Sequence, residues 1–152
     1  MPRKKIGDVI EIGTNLGLAY ALYTHEHRMM GSLLRVFERK FPSRPTDFID
    51  LVGSPLQFET FFPLGAALHR NLVAIAGHVA IPRRLRDFPI FRNGVADLET
   101  RRVANWWLWD GKREWMIGSL GEEQKRYPIQ EVINDTLLRE RIESGWRSTN
   151  EI

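Results

Sequence analysis

The sequence predicts an α+β fold: a mostly antiparallel, partly barrel-like (SH3-like) β-sheet followed by two short C-terminal helices. Three observations predict this fold. The first 38 residues hold three short apolar-rich stretches, of which Lys5–Ile12 alternates apolar and polar side chains, separated by turn-forming or polar residues. Two aromatic runs flank Asp110-Gly111, a dipeptide typical of tight hairpin turns. After Gly118 the apolar residues recur every three or four positions, which is typical of helices.

Three strands are predicted at the N-terminus. Lys5–Ile12 alternates apolar and polar residues, and Gly13–Asn15 has the composition of a turn. Leu16–Thr24 is predicted as the second strand and Gly31–Glu38 as the third. The polar run His25–Arg28 between them is interpreted as a loop. Consecutive strands with short connections predict a β-meander of the kind found in small SH3-like barrels.

The middle of the chain is harder to interpret. Asp47–Val52 is compatible with a helical turn or a strand, and Leu56–Phe62 is predicted as a strand. Ala66–Arg70 and Leu72–Ile81 are predicted to form a hairpin. The second arm of that hairpin is almost continuously apolar, which predicts an interior strand. Pro82–Arg102 is rich in proline, glycine and arginine and is predicted to be irregular.

The hairpin around Asp110-Gly111 is the strongest local signal. Its arms are predicted as Val103–Trp109 and Glu114–Gly118, and they hold four of the five tryptophans. Alternate residues of a strand point to opposite faces, and both faces of the first arm are apolar. The first arm is therefore predicted to lie in the middle of a sheet, and the four tryptophans of the hairpin are predicted to form part of the core.

The C-terminal third is predicted to hold the two helices. Ser119 and Glu122 have the spacing of a capping box for a short helix that ends at Arg126. A second helix is predicted to begin after Asn134 and to end before Gly145, with Trp146 folding back onto the sheet. The 152 residues are interpreted as one domain, in which 1–118 are mainly β and 119–152 form a helical cap.

The composition is that of a globular protein, with 43% hydrophobic and 27% charged residues. The chain has no cysteine, so disulfides and thiolate metal sites are excluded. The basic N-terminus is not followed by the apolar run of a signal peptide, and no apolar run is long enough to span a bilayer. The sequence therefore predicts a cytoplasmic protein without a membrane partner.

The four histidines offer a weak metal-binding signal. His25 and His27 share a face of any extended segment, but stable zinc sites usually need three or four protein ligands. His69 and His78 lie in other predicted strands. We expect no metal site, with His25 and His27 in a loop and His78 as a hydrogen-bonded core histidine.

Candidate catalytic groups are also few. Two of the three carboxylates Asp8, Glu11 and Asp110 form a catalytic pair only if their environments in a cleft give them different pKa values. Asp8 and Asp110 each lie beside a glycine and are equally explained as turn residues. The sequence has no nucleophile elbow and no phosphate-cradling glycine loop. We therefore expect no enzyme activity, no catalytic residue and no cofactor.

The basic segment 83–102 is the strongest functional candidate visible in the residues themselves. Residues 61–102 carry seven basic and three acidic side chains, although the net charge of the chain is only +3. Arginines in a loop can bind phosphates or the carboxylates of a protein partner. The candidates for partner binding are Arg83, Arg84, Arg86 and Arg92. A nucleic-acid-binding β-barrel domain is the alternative function, and a solvated or internally paired loop is the alternative without function.

Eight short landmarks, taken in order, resemble a known family. They are Lys5–Ile12, Gly17–Ala21, Gly31–Val36, Phe61–Leu64, Ile81-Pro82, Pro89–Arg92, Trp106–Gly111 and Leu137–Trp146. In this order they resemble the immunity protein 26 family of bacterial polymorphic toxin systems. Each landmark is short, and their order carries the resemblance.

The resemblance implies a non-enzymatic protein that binds and neutralises a cognate toxin. Immunity proteins often block a toxin's active site, and against a nuclease an acidic surface is expected. The chain is mildly basic overall, so an acidic contact is expected only locally, on the C-terminal helices. The acidic candidates there are Glu122, Glu123, Glu140 and Glu143. The toxin, the contact surface and the oligomeric state stay open.

Overall fold

The computed structural model describes residues 3–151 and has an α+β fold built mostly of antiparallel sheets. The chain divides into two compact units. The large unit comprises the chain up to Asp87 together with Glu131–Trp146. The small unit comprises Phe88–Gln130 and the residues from Arg147 onward. No helix among the described residues is long and apolar enough to cross a membrane.

The large unit is organised around a five-stranded sheet. Its strands are β1 (Asp8–Thr14), β2 (Gly17–His27), β3 (Gly31–Phe41), β4 (Leu56–Phe62) and β5 (Ala74–His78). They are antiparallel in the order β4-β3-β2-β1-β5, so the predicted β-meander is confirmed. In residues 3–151 the sheet is open, with β4 and β5 at its edges, and the predicted barrel-like closure is not confirmed.

Both faces of this sheet are covered. On one face, α2 (Leu64–His69) and α3 (Asp135–Ser144) pack on side chains such as Ile10 and Val36. On the other face, α1 (Ile49–Val52) and the 3₁₀ turn Arg83–Leu85 cover a second apolar cluster. Two-sided burial explains why strands β1 to β3 have apolar residues at successive positions.

Three predictions for the large unit are wrong. His25–His27 belongs to β2, because this end of the strand pairs with the start of β3. Ala66–Arg70 is not a strand: Leu64, Ala67 and Leu68 are buried at helical spacing and form the inner face of α2. The apolar arm that follows is an edge strand rather than an interior strand, because β5 pairs with β1 and with no other strand of the described residues.

The small unit contains a three-stranded antiparallel sheet. Its strands are β6 (Phe91–Asn93), β7 (Trp106–Trp109) and β8 (Glu114–Gly118), in the order β6-β7-β8. The predicted hairpin and the central place of its first arm are confirmed. Gly111 has a φ of +96°, as its turn requires, and the carboxylate of Asp110 accepts hydrogen bonds from the backbone amides of Lys112 and Arg113.

One of the two predicted C-terminal helices is present as expected. The side chain of Asn134 accepts a hydrogen bond from the amide of Leu137, and Gly145 ends α3 in the left-handed conformation. Trp146 folds back and packs edge-on against Phe58, as predicted. The other helix is wrong: only Gln124–Arg126 forms a 3₁₀ turn, because this segment has no buried apolar side to dock.

Candidate partner-binding site

The tryptophans of the β7–β8 hairpin do not share one environment. Trp106 and Trp109 are buried, whereas Trp107 and Trp115 are 37% and 36% exposed. The prediction that all of them belong to the core is therefore wrong for two of the four. On the face that Trp107 shares with Trp109, Phe88 packs edge-on against Trp109 at the end of β7 and does not extend over Trp107.

Trp107 lies in a row of side chains that crosses the small sheet. Its neighbour on β6 is Asn93, and its neighbour on β8 is Met116, which is 56% exposed. Directly opposed residues of antiparallel strands share a face. Glu114 lies on the same face, opposite Trp109. We call Asn93, Trp107, Glu114 and Met116 the tryptophan face.

A polar ladder borders the exposed tryptophan. The side-chain amide of Asn93 donates to the Oε1 atom of Gln130 at 2.6 Å and to the Oε2 atom of Glu114 at 3.2 Å. Gln130 is held beside β6 because its amide donates to the carbonyl of Arg92. A cavity of about 320 Å³ opens next to this ladder, between Trp107 and the loop at Val95. The tryptophan face thus combines an aromatic plane, amides and one carboxylate.

The edge of the small sheet lies directly beside this face. Strand β8 pairs with β7 on one side, and no strand of the described residues pairs with its other side. An edge strand offers unpaired amides and carbonyls to a second chain. Trp115 and Met116 lie on this edge strand and are both exposed.

The basic candidates Arg83, Arg84 and Arg86 lie on the surface of the large unit. Two of them also support the loop. The Nη2 atom of Arg84 donates to the carbonyls of Val52 and Ser54 at 3.1 and 2.6 Å. The Nε atom of Arg86 donates to the carbonyl of Ile81 at 3.0 Å. Within residues 3–151, the side chain of Arg83 forms no such bond.

Arg92 is not a surface contact. Its side chain is fully buried in the small unit, and its guanidinium lies over the ring of Trp106 at 4.6 Å. It donates to four carbonyls, those of Lys125, Tyr127, Ser148 and Glu151. Burial lowers the pKa of Arg92, and the charge of Glu151 opposes this shift. The structure therefore removes Arg92 from the candidate contacts.

The four acidic candidates fall into the two units. Glu122 and Glu123 are exposed in the small unit, where Glu122 pairs with Lys125 at 3.0 Å. Glu140 and Glu143 lie on α3 of the large unit. Glu140 is exposed, whereas Glu143 accepts a hydrogen bond from the amide of Asn15 at 2.7 Å. Each unit thus carries its own pair of acidic candidates.

The carboxylates considered for catalysis each have a structural partner. Asp8 is buried and lies 2.9 Å from the Nδ1 atom of His78, which is exposed and not a core histidine. Glu11 forms a two-bond ion pair with Arg44, which lowers the pKa of Glu11. Asp110 closes its turn, and these backbone hydrogen bonds lower its pKa.

The histidine pair also has other partners. The Nδ1 and Nε2 atoms of His25 lie within hydrogen-bonding distance of the Thr24 hydroxyl and the Arg86 carbonyl, and burial lowers the pKa of His25. The Nδ1 atom of His27 accepts hydrogen bonds from the amides of Met29 and Met30. Within residues 3–151 no group of three or more potential ligands is placed to hold a metal ion.

The sequence did not predict a buried ion pair in the large unit. Arg35 on β3 lies 2.9 Å from Glu59 on β4 and donates to the carbonyl of Asp87. Burial raises the pKa of Glu59, while the charges of Arg35 and Arg84 oppose that shift. The pair joins neighbouring strands, so it stabilises their register.

No family model matches this chain, and neither does any curated protein or solved structure. The resemblance to the immunity protein 26 family therefore stays a prediction from the order of the landmarks.

Proposed function

We propose that this chain is a non-enzymatic immunity protein that binds and neutralises a cognate toxin domain in the bacterial cytoplasm. The proposal rests on the ordered landmarks of the sequence and on one structural observation. That observation is the tryptophan face, where Trp107 and Met116 are exposed side by side on a sheet that ends in an open edge strand.

The composition of this face suits a protein partner. Tryptophan is enriched among the residues that dominate binding energy, and methionine adapts its shape to irregular surfaces. The cavity beside Trp107 is large enough to receive a side chain of the partner. The carboxylate of Glu114 and the ring of Trp107 would together attract a cationic side chain. We therefore propose that the toxin inserts a lysine or arginine here.

The surface arginines and the exposed glutamates act, in this proposal, as outer contacts. All three surface arginines are exposed, and so are Glu122, Glu123 and Glu140. Charges at the rim of an interface mainly change the association rate and its dependence on salt. Substituting them is expected to slow binding without abolishing it.

The first experiment uses the gene immediately upstream, whose C-terminal domain would be the toxin. Wild-type protein is co-expressed with that domain, and cell survival and complex formation are measured. Survival together with a stable complex supports the proposal. Failure of the wild type to bind or protect refutes the immunity function itself. Salt-sensitive binding to DNA by the free protein would instead favour the nucleic-acid alternative.

A second experiment tests the tryptophan face separately. Trp107→Ala and Met116→Ala are compared with Met29→Ala, which removes a methionine that is 83% exposed in the large unit. We expect the Trp107 variant to weaken toxin binding by about 2 kcal/mol or more, as at other tryptophan hot spots. The Met29 variant should bind as the wild type does. If the wild type protects but the Trp107 variant binds equally well, the function stands and the assigned face is wrong.

A further inference from the structure

A tight hairpin loop in the small unit presents two arginines. Ala96 and Val103 form an antiparallel bridge, and the amide of Asp97 donates to the carbonyl of Arg102 at 2.8 Å. The amide of Arg101 donates back to the carbonyl of Asp97, also at 2.8 Å. The carboxylate of Asp97 accepts from two amides within the loop, which lowers its pKa. The loop is thus closed by its own backbone.

Arg101 adopts a backbone conformation that its residue type disfavours. Its φ is +59°, in the left-handed region where glycine and asparagine are usual. A glycine would adopt this conformation without steric cost. Keeping an arginine at this position therefore has a conformational cost, and no carbonyl of the described residues accepts a bond from its guanidinium.

A cavity of about 460 Å³ opens beneath this loop. Its cationic lining comes from Arg101, Arg102 and Lys125, and its hydroxyls come from Thr100 and Ser119. No carboxylate is among the described residues that line it. Lys125 pairs with Glu122, but that carboxylate is 93% exposed, and surface pairs of this kind are weak. A ligand in the cavity can therefore displace the pair.

The remaining lining is apolar. Val103, Trp106 and Leu120 form this part of the cavity, and Trp106 is held in place by the guanidinium of Arg92 over its ring. An ion such as phosphate would occupy only a fraction of the volume. The apolar lining offers a place for an organic group attached to the anion.

We propose that this cavity binds a small phosphate monoester. Guanidinium groups match the oxygens of a phosphate with two parallel hydrogen bonds, and a dianion would offset the positive charge of the three cationic residues that line the cavity. The hydroxyls of Thr100 and Ser119 supply neutral donors, and the organic group lies against Val103 and Leu120. The site is independent of the tryptophan face and of the toxin.

The test is calorimetric titration of the full-length protein with inorganic phosphate and with adenosine monophosphate at fixed ionic strength. We expect both to bind and the nucleotide to bind more tightly. Arg101→Gly should raise the Kd at least about tenfold, the loss expected for one charge-assisted hydrogen bond. Its unfolding midpoint should be unchanged or higher, because glycine relieves the left-handed backbone.

Arg113→Gln is the matched control, since Arg113 is an exposed arginine of the same unit that does not line the cavity. It removes the same charge and should bind as the wild type does. Absence of binding by both probes at millimolar concentration would overturn the proposal. Equal weakening by the Arg113 and Arg101 variants would also overturn it, because the attraction would then be a general charge effect. Equal affinities for the two probes would overturn the assignment of a monoester.

Discussion

Replacing Arg92 by methionine tests whether this arginine is structural. Methionine keeps much of the volume and the contact with Trp106, but it removes every hydrogen-bond donor. In the folded protein the guanidinium binds carbonyls from two separate parts of the small unit: Lys125 and Tyr127, and the C-terminal residues Ser148 and Glu151. The variant should therefore loosen the C-terminal segment from the sheet.

The expected loss of stability follows from these contacts. The two shorter bonds are those to Ser148 and to Glu151, the latter at 2.7 Å, while the bonds to Tyr127 and Lys125 are longer, at 3.3 and 3.4 Å. Two charge-assisted bonds contribute about 1.5–3 kcal/mol each. Removing a buried charge returns part of this, so the net loss is about 2–4 kcal/mol. That is a large share of a typical domain stability of about 5–15 kcal/mol.

The assay combines urea unfolding, followed by tryptophan fluorescence, with limited trypsin digestion. Trypsin should cleave after Arg147 faster in the Arg92→Met variant than in the wild type, because the segment beyond it is no longer held. Arg113→Met is the control, since it removes an exposed arginine. The reasoning is refuted if the Arg92 variant has wild-type stability and digestion but binds the toxin more weakly, since Arg92 would then be a surface contact.

Three further predictions concern stability. Glu11→Gln should lower the free energy of unfolding at pH 7 by about 1 kcal/mol. The ion pair lowers the folded-state pKa of Glu11. Its stabilising effect is therefore present above the ordinary pKa of 4.5 and is lost as the pH falls through the lowered pKa. Urea titrations at several pH values should show that the variant loses less of its unfolding free energy at acidic pH than the wild type does. Alanine in a left-handed conformation costs about 1–2 kcal/mol. Gly111→Ala should lower the free energy of unfolding by more than this, because its Cβ would lie 2.8 Å from the Phe88 ring. The control in thermal unfolding is Gly118→Ala, whose Cβ meets nothing within 4 Å. Asn134→Ala should cost about 1 kcal/mol by loss of the α3 cap, read from helical circular dichroism during denaturation.

Each of these outcomes has a result that counts against it. If the unfolding free energy of the Glu11 variant falls at acidic pH as steeply as that of the wild type, the ion pair between Glu11 and Arg44 does not form in solution. Equal losses for the two glycine variants would show that Phe88 moves aside without cost. A stable Asn134 variant would show that water replaces the cap.

Elements specified by local chemistry were predictable from the sequence. The Asp110-Gly111 turn, the Asn134 cap and the Gly145 end of α3 depend on side-chain-to-backbone bonds or on a positive φ within a few residues. The β-meander was predictable because its apolar-rich strands follow one another closely along the chain. These signals are contained in the segments themselves, so they need no knowledge of distant partners.

The candidate site was less predictable, because exposure depends on what covers a strand. Trp107 and Trp109 are two positions apart on one strand and point to the same face, so the sequence predicts the same burial for both. Phe88 covers Trp109, whereas Trp107 has a polar neighbour, Asn93, and an exposed one, Met116. The sequence predicts one domain, whereas the structure places this hairpin in a separate small unit, which has fewer residues available to cover both faces of its sheet.

The arginines of segment 83–102 acquire different roles for one physical reason. Carbonyls that are not paired within a sheet or helix need another donor, and buried ones must find it within the protein. A guanidinium carries five donors, so arginine is suited to supply them. Arg84, Arg86 and Arg92 all bind carbonyls in this way. These three arginines thus attach the segment to backbone carbonyls outside it before any partner is considered. Within the described residues, the side chains of Arg101 and Arg102 at the cavity and of Arg83 on the surface bind no carbonyl, so these three are left for ligands.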